Sequence, residues 1–322
     1  MVSSRGFGDG ASPVRETLQA WAICVIPQAI LTVLLLLSSQ FGPLFGGVLG
    51  LFAPAPVIHA YLRGGRRAGW ATLGLVFFVL VGLTGLSVGL KFLLLVAPLI
   101  VLISEGIRIR ASVERVVLIS LGPAVILAAT ALLLHWRGSG GALVELFRVE
   151  TSVVLEGTAR PGGDEGAELV ARLLWRSLPA ITFLNFLWVS LVNYMVIRWF
   201  WIRRGWQALF PAQDFSRWGM PERAVWPLIV FAASLLLPWE ATFWVGWNGF
   251  ILLLFGYFLQ GIAVLHHFFN QRGVMVPIRV PVYLVSLLMP YFLAAAGFFD
   301  LWMDFRKIRV PSADQAYGGE ER

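Results

Sequence analysis

Long apolar stretches separated by short arginine-rich segments make up most of the chain. An α-helix needs about 20 apolar residues to cross the hydrocarbon core of a bilayer, so each stretch is a candidate span. Taken in order, the stretches cover residues 20–38, 41–62, 70–88, 92–103, 116–136, 178–201, 224–237, 247–272 and 280–299. The pattern therefore predicts an all-α protein, a polytopic transmembrane helical bundle of eight or nine spans.

The number of spans depends on the seventh stretch, which is short for a crossing. With a cytoplasmic N-terminus and nine crossings, the basic segments at 63–67, 108–115, 198–223 and 272–279 all face the cytoplasm, as the positive-inside rule requires. Nine crossings leave the basic segment 306–309 outside, whereas eight place it inside but put 272–279 outside. Both counts stay open. The predicted location is the cytoplasmic (inner) membrane, with the N-terminus cytoplasmic.

The segments outside the apolar stretches are few. Residues 1–19 are polar and are expected to form a flexible N-terminal segment, and residues 310–322 form a polar tail. Between them, residues 20–309 are predicted to be a single transmembrane helical domain. The stretch 137–176 mixes acids with arginines and is expected to be an external loop with one or two short amphipathic helices. It is too short to bury the core of a separate soluble domain.

Composition supports a membrane protein and argues against a nucleic-acid-binding domain. Hydrophobic residues make up 58% of the 322 residues and charged residues 13%, whereas a soluble domain has about 25% charged residues. The net charge of +7 comes largely from arginines that lie between apolar stretches. We therefore expect the lipid bilayer, and no nucleic acid, as a partner.

The chain lacks the usual sequence signatures of an active site. It has no P-loop, no Gly-x-Ser-x-Gly elbow and no His-Glu-x-x-His motif. Cys24 is the single cysteine, which excludes an intrachain disulfide and a multi-cysteine metal site. His266 and His267 are adjacent, so they point to different faces of a helix and do not suit a shared metal ion. We expect no enzyme activity, no cofactor and no metal site.

The eighth apolar stretch carries several polar residues. Tyr257, Gln260 and His267 lie at offsets of three and seven residues, which places them on one face of a helix. This face either lines a solute cavity or forms interhelical hydrogen bonds, worth about 0.6 kcal/mol each on average. Polar groups in hydrocarbon need internal partners, so the face is expected to point inward.

Other polar residues are expected to join this face in one cavity or polar network. Asp300 and Asp304 lie one helical turn apart, with Lys307 three residues later, and they form either a salt-bridge ladder or the mouth of a cavity. The candidate site residues are Asn185, Asn248, Tyr257, Gln260, His267 and Asp300.

The second apolar stretch contains two prolines near its middle. Pro54 and Pro56 interrupt helical hydrogen bonds, so this span is either broken at mid-depth beside a cavity or only kinked. Gly46 and Gly50 lie four residues apart just before the prolines and allow a second helix to approach closely.

The C-terminal third carries a recognisable pattern. Asn248 is followed by Tyr257-Phe-Leu-Gln260-Gly261-Ile-Ala-Val, and then by Gly297-Phe-Phe-Asp300-Leu-Trp302-Met-Asp304-Phe305-Arg306-Lys307. Together with Pro54-x-Pro56 and the Gly/Arg segment after it, this pattern resembles the YybS-like family of bacterial membrane proteins, a domain of unknown function. That family is distantly similar to the substrate-binding S components of energy-coupling-factor vitamin transporters and to the rod-shape protein MreD.

The resemblance implies an S-component-like helical bundle with a solute site or a face that docks a partner. Many S components carry an Ala-x-x-x-Ala spacing in the first span for docking, and Ala20, Ala22 and Ala29 do not give that spacing here. Two functions remain as alternatives. One is binding or transport of a small-molecule solute. The other is a non-transporting interaction or scaffold protein of the cell envelope, similar to MreD, with a membrane protein partner.

Overall fold

The computed structural model describes residues 13–38, 45–123, 125–126, 165–211 and 214–308. Every regular element in these residues is helical, which confirms the predicted all-α class. The helices are α1 (Pro13–Ser38), α2 (Phe45–Gly50), α3 (Pro54–Thr84), α4 (Leu86–Lys91), α5 (Ala97–Arg108), α6 (Val113–Ser120), α7 (Glu165–Ile202), α8 (Val225–Ser234), α9 (Glu240–Gln271), α10 (Val276–Leu288) and α11 (Pro290–Met303).

The chain divides into two compact units. The first unit contains residues 1–146 and 185–211, and the second contains residues 147–184 and 212–322. Each unit has its own apolar core, with residues such as Ile58, Leu80 and Ile100 in the first and Tyr257, Phe258, Leu228, Ala294 and Leu301 in the second. The single domain expected over 20–309 stays a prediction.

Four helical segments in the described residues are long and apolar enough to cross a membrane. They are Gly46–Thr84, Leu86–Arg108, Pro179–Ile202 and Glu240–Gln271. A fifth is obtained if Val276–Ser286 and Pro290–Met303, which are bent by 102° at their junction, count as one span. A multi-pass membrane protein is therefore supported, but the predicted count of eight or nine spans is not.

The count differs partly because the predicted second and third spans share α3. The basic segment between them does not end the helix; it contains a kink at Gly65, whose φ of +78° lies in a region that glycine adopts without strain. The fourth predicted span is longer than expected, because α4, a π-helical turn at Phe92–Val96 and α5 continue as one segment. Lys91 lies inside this segment and does not terminate it.

The seventh and ninth predicted spans also differ. The seventh is the ten-residue helix α8, which is about 15 Å long and cannot cross a core of about 30 Å. The ninth is interrupted at Met289, after which Pro290 begins α11. The end of the fifth predicted span and most of the predicted loop at 137–176 lie outside the described residues, although α7 already begins at Glu165 within that range.

The two prolines of the second apolar stretch start a helix and do not kink one. Helix α2 ends at Gly50, a turn follows, and Pro54 occupies the first turn of α3, where the missing N–H group has no intrahelical acceptor in any case. The Leu51 carbonyl in the turn accepts a hydrogen bond of 2.7 Å from the Asn193 side chain of α7. A carbonyl group that the break leaves without a helical partner is therefore hydrogen-bonded by a protein side chain, as backbone groups away from water require.

Candidate functional site

Two glycines let α9 and α11 pack closely in the second unit. A Cβ atom at Gly261 would collide with the backbone of Leu293, and one at Gly297 would collide with the Tyr257 carbonyl. Small residues at such positions allow the backbones of two helices to approach each other. This packing brings the Tyr257–Gln260 face of α9 against the part of α11 that carries Asp300.

A buried ion pair lies where these two helices meet. The Arg306 guanidinium donates to Asp300 Oδ2 through Nη2 at 2.7 Å and through Nε at 3.0 Å. The two side chains are 5% and 3% exposed, respectively. Gln260 Nε2 donates to the same oxygen at 3.1 Å. We call Gln260, Asp300 and Arg306 the polar centre.

The backbone conformation at the end of α11 makes this pair possible. Asp304 ends the helix in the left-handed conformation, with φ of 39° and ψ of 55°. The chain therefore reverses direction, and Arg306 returns towards the carboxylate six residues before it. Aspartate is one of the few residues other than glycine that adopt this conformation at low cost.

The polar centre also holds the connection that precedes α8. Arg306 Nη1 donates to the carbonyl groups of Ser216 and Trp218 at 2.8 and 2.7 Å. Gln260 Oε1 accepts a hydrogen bond of 3.0 Å from the Met220 N–H group. Within this connection, hydrogen bonds from Ser216 lower the pKa of the Asp214 carboxyl, so Asp214 stays ionised and accepts from the Ser216 N–H group at 3.0 Å.

Helices α9 and α11 each carry a buried polar atom that has no partner among the described residues. Asp300 Oδ1 and the Tyr257 hydroxyl have no hydrogen-bond partner among the described residues. Tyr257 is completely buried, and its ring packs edge-on against Phe298 with centroids 5.3 Å apart. A buried carboxylate oxygen without a donor is costly, so a donor from a water molecule or a solute would stabilise this arrangement.

Asn248 forms hydrogen bonds with the backbone of α7 in the second unit. Its Oδ1 accepts from the Ala180 N–H group at 2.9 Å, and its Nδ2 donates to the Arg176 carbonyl at 2.9 Å. These two backbone groups would bond to each other in an uninterrupted helix, and Pro179 lies beside them inside α7. Asn248 therefore bridges a disturbed turn of α7 to α9.

Two further predicted residues, His267 and Asn185, do not belong to the polar centre. His267 is half-buried and its ring contacts that of Phe268 with centroids 5.9 Å apart. Asn185 is exposed and belongs to the first unit. The structure thus brings Gln260 and Asp300 into contact and places Tyr257 on the same helix pair, whereas Asn185, Asn248 and His267 are not part of the polar centre.

Arg306 is a site residue that the sequence pattern does not single out. It lies in a basic C-terminal segment, and helical spacing instead suggests a salt-bridge ladder of Asp300 and Asp304 with Lys307. The signal that could have found it is Asp304, since an aspartate just after an apolar helix is compatible with a left-handed reversal. In the part of the chain that the structure describes, no group of three His, Cys, Asp or Glu residues could hold a metal ion.

Comparison with known proteins supports the membrane assignment. A family model described as a predicted membrane protein (DUF2232) matches residues 29–301. The matched range includes Gln260 and Asp300 and ends before Arg306. No curated protein and no solved structure matches the chain.

Proposed function

The chain belongs to the DUF2232 family of predicted membrane proteins, and we propose that it binds a small polar solute at the polar centre of the second unit. The observation that carries this proposal is that the two oxygens of the Asp300 carboxylate differ in their number of hydrogen-bond donors. Three donor groups converge on Oδ2, whereas Oδ1 has no partner among the described residues.

The free-energy cost of burying ionisable side chains supports a functional role for the polar centre. Ionisable side chains inside a membrane protein are expensive to bury, and they commonly mark a solute pathway or a relay. A pair that served stability alone would be expected to have both carboxylate oxygens satisfied, since an unsatisfied buried acceptor costs about 1–3 kcal/mol. A bound solute that donates to Oδ1 would remove this cost.

The charges of the centre favour one class of solute. Asp300 and Arg306 neutralise each other, so a neutral molecule fits better than a multiply charged ion. The molecule must offer an N–H or O–H group to Oδ1. The unsatisfied Tyr257 hydroxyl can donate to or accept from a second polar group of the solute. We therefore assign the site to a compact neutral solute with at least one hydrogen-bond donor.

The remaining parts of the proposal rest on sequence features. The C-terminal resemblance to the YybS-like family supports an S-component-like role in solute uptake, and the absence of motifs for catalysis supports a protein that is not an enzyme. The same resemblance supports the cytoplasmic membrane of a bacterium, and the arginine distribution supports a cytoplasmic N-terminus. A scaffold function is the competing proposal, and the experiment below separates the two.

The test is the identification of small molecules that co-purify with the protein in lipid nanodiscs. We expect the wild type to carry a stoichiometric polar molecule, detected by mass spectrometry after denaturation. Tyr257→Phe removes only a hydroxyl that has no hydrogen-bond partner among the described residues, so folding should be retained while the bound molecule is depleted. Tyr283→Phe is the matched control, because the Tyr283 hydroxyl already pairs with His266 Nδ1 at 2.7 Å and the bound molecule should be retained.

Two results would count against solute binding. One is a wild-type protein that carries no small molecule but co-purifies with a stoichiometric protein partner, which would favour the scaffold function. The other is equal occupancy in the wild type, Tyr257→Phe and Asp300→Asn, which would place any bound molecule away from the polar centre.

A further inference from the structure

The first unit gathers exposed arginines from three helices. Arg63, Arg66 and Arg67 surround the kink of α3, Arg108 ends α5, and Arg203 and Arg204 follow α7. All six are exposed. We call these six residues the arginine surface. In the segments that carry them, Glu105 is the acid that makes ion pairs with the surface.

Side-chain contacts connect the arginines of α3 to those of α5. Glu105 of α5 accepts from Arg66 Nε and Nη2 at 2.6 and 2.8 Å and lies 3.6 Å from Arg108 Nη1. The buried Tyr61 hydroxyl donates to the same carboxylate. A single carboxylate therefore holds two arginines in place but cannot neutralise the surface as a whole.

Aromatic contacts connect the same part of α3 to the end of α7. The His59 ring packs against Phe200 and Trp201, with centroid distances of 5.1 and 5.6 Å. Arg204 lies over the Phe200 ring at 4.0 Å, and Arg63 follows His59 by one helical turn. Arg63 and Arg204 thus both lie near the same histidine. Stacking on an aromatic ring leaves the edge of the Arg204 guanidinium open to an anion.

Two buried nitrogen atoms in this region lack partners among the described residues. They are Trp201 Nε1 and His59 Nδ1. Trp201 is 5% exposed, and its indole N–H group can only donate a hydrogen bond. The missing ligand must therefore provide an acceptor. Arg63 and Arg204 lie near His59, which packs against Trp201, and arginines favour an anionic acceptor such as a phosphate oxygen.

We propose that the arginine surface binds the headgroup of an anionic phospholipid, with Trp201 donating to a headgroup oxygen and Arg63 and Arg204 neutralising the phosphate. Exposed tryptophans lie around this surface, and Trp70, Trp199 and Trp206 expose 56%, 57% and 57% of their area. Tryptophan is enriched at the level of lipid headgroups, and basic clusters beside spans recognise anionic lipids. The surface therefore lies in the cytoplasmic leaflet, where the positive-inside rule puts arginine.

Native mass spectrometry of the detergent-purified protein tests this binding. The probes are phosphatidylglycerol, which is anionic, and phosphatidylcholine, which has no net charge. We expect phosphatidylglycerol to bind more tightly and its affinity to fall with added salt. Arg63→Gln combined with Arg204→Gln should weaken phosphatidylglycerol binding about 30-fold, because each arginine near the lipid surface contributes about a fivefold change.

Two further variants separate the site from net charge alone. Arg217→Gln combined with Arg223→Gln removes the same charge from exposed positions of the second unit and should leave phosphatidylglycerol binding within about twofold of the wild type. Trp201→Phe keeps the aromatic packing but removes the indole N–H group, and it should weaken binding roughly threefold to tenfold.

Three outcomes would overturn the proposal. Equal binding of the two lipids would exclude anionic recognition. Equal losses from the two arginine pairs would show that net charge, and not this surface, attracts the lipid. Displacement of phosphatidylglycerol by millimolar inorganic phosphate would assign the surface to a soluble anion.

Discussion

Replacement of Arg306 by methionine tests the energetic role of the buried ion pair. Methionine replaces the aliphatic part of the side chain but removes the guanidinium, with its charge and all its donors. Asp300, which is 3% exposed, would then keep one donor, Gln260 Nε2. The carbonyl groups of Ser216 and Trp218 would lose their bonds to Nη1 at the same time.

The expected loss of unfolding free energy follows from the burial of the ion pair. Removal of one partner from a buried ion pair costs about 3–5 kcal/mol, because the other charge is left uncompensated. The two lost carbonyl contacts add to this cost, but the terms share one side chain and do not sum. We expect Arg306→Met to lower the free energy of unfolding by about 3–5 kcal/mol.

The double variant Asp300→Leu with Arg306→Met should be more stable than Arg306→Met alone. Apolar replacements of both partners avoid the isolated charge and are often nearly neutral. A residual cost of about 1–3 kcal/mol is expected, since the Ser216 and Trp218 carbonyl groups stay unpaired.

The measurement is reversible unfolding in mixed detergent micelles, followed by tryptophan fluorescence. Arg217→Met is the matched control, because Arg217 is 77% exposed and should change stability by less than about 0.5 kcal/mol. The reasoning is refuted if Arg306→Met costs less than about 1 kcal/mol, or if the double variant is no more stable than this single variant.

Three further predictions concern helix packing and topology. Gly297→Ala should lower stability by more than about 1 kcal/mol, because the added methyl group collides with the Tyr257 carbonyl, whereas Gly74→Ala, with open space around the position, should be neutral or stabilising in the same unfolding assay. Asn248→Leu should cost about 1–3 kcal/mol and speed hydrogen exchange at Ala180, whose N–H group loses its acceptor; unchanged exchange at Ala180 would contradict the bridging role. In a Cys24→Ser background, an impermeant maleimide should label Gly140→Cys and not Gln213→Cys in intact cells, and the opposite labelling would reverse the proposed orientation.

Much of the membrane character of this chain could be read from local hydropathy. Whether a stretch such as 247–272 partitions into a bilayer depends mainly on its own side chains. Helix α9 ends one residue before the predicted end, although it begins seven residues earlier than predicted, at Glu240. The interruption at Pro54 was also foreseeable, since proline removes a backbone donor wherever it occurs. The shared face of Tyr257 and Gln260 follows from helical periodicity alone.

Features that depend on tertiary packing could not be predicted from local hydropathy. The kink at Gly65 and the bend at Met289 reflect backbone angles that hydropathy does not encode, so several predicted spans were joined, shortened or bent. Arg306 bonds to carbonyl groups 88 and 90 residues earlier in the chain. Its role depends on the reversal at Asp304 and on the close approach of α9 and α11. Local sequence determined which segments are apolar helices, whereas the buried charge found its partners only through contacts between residues that are distant in sequence.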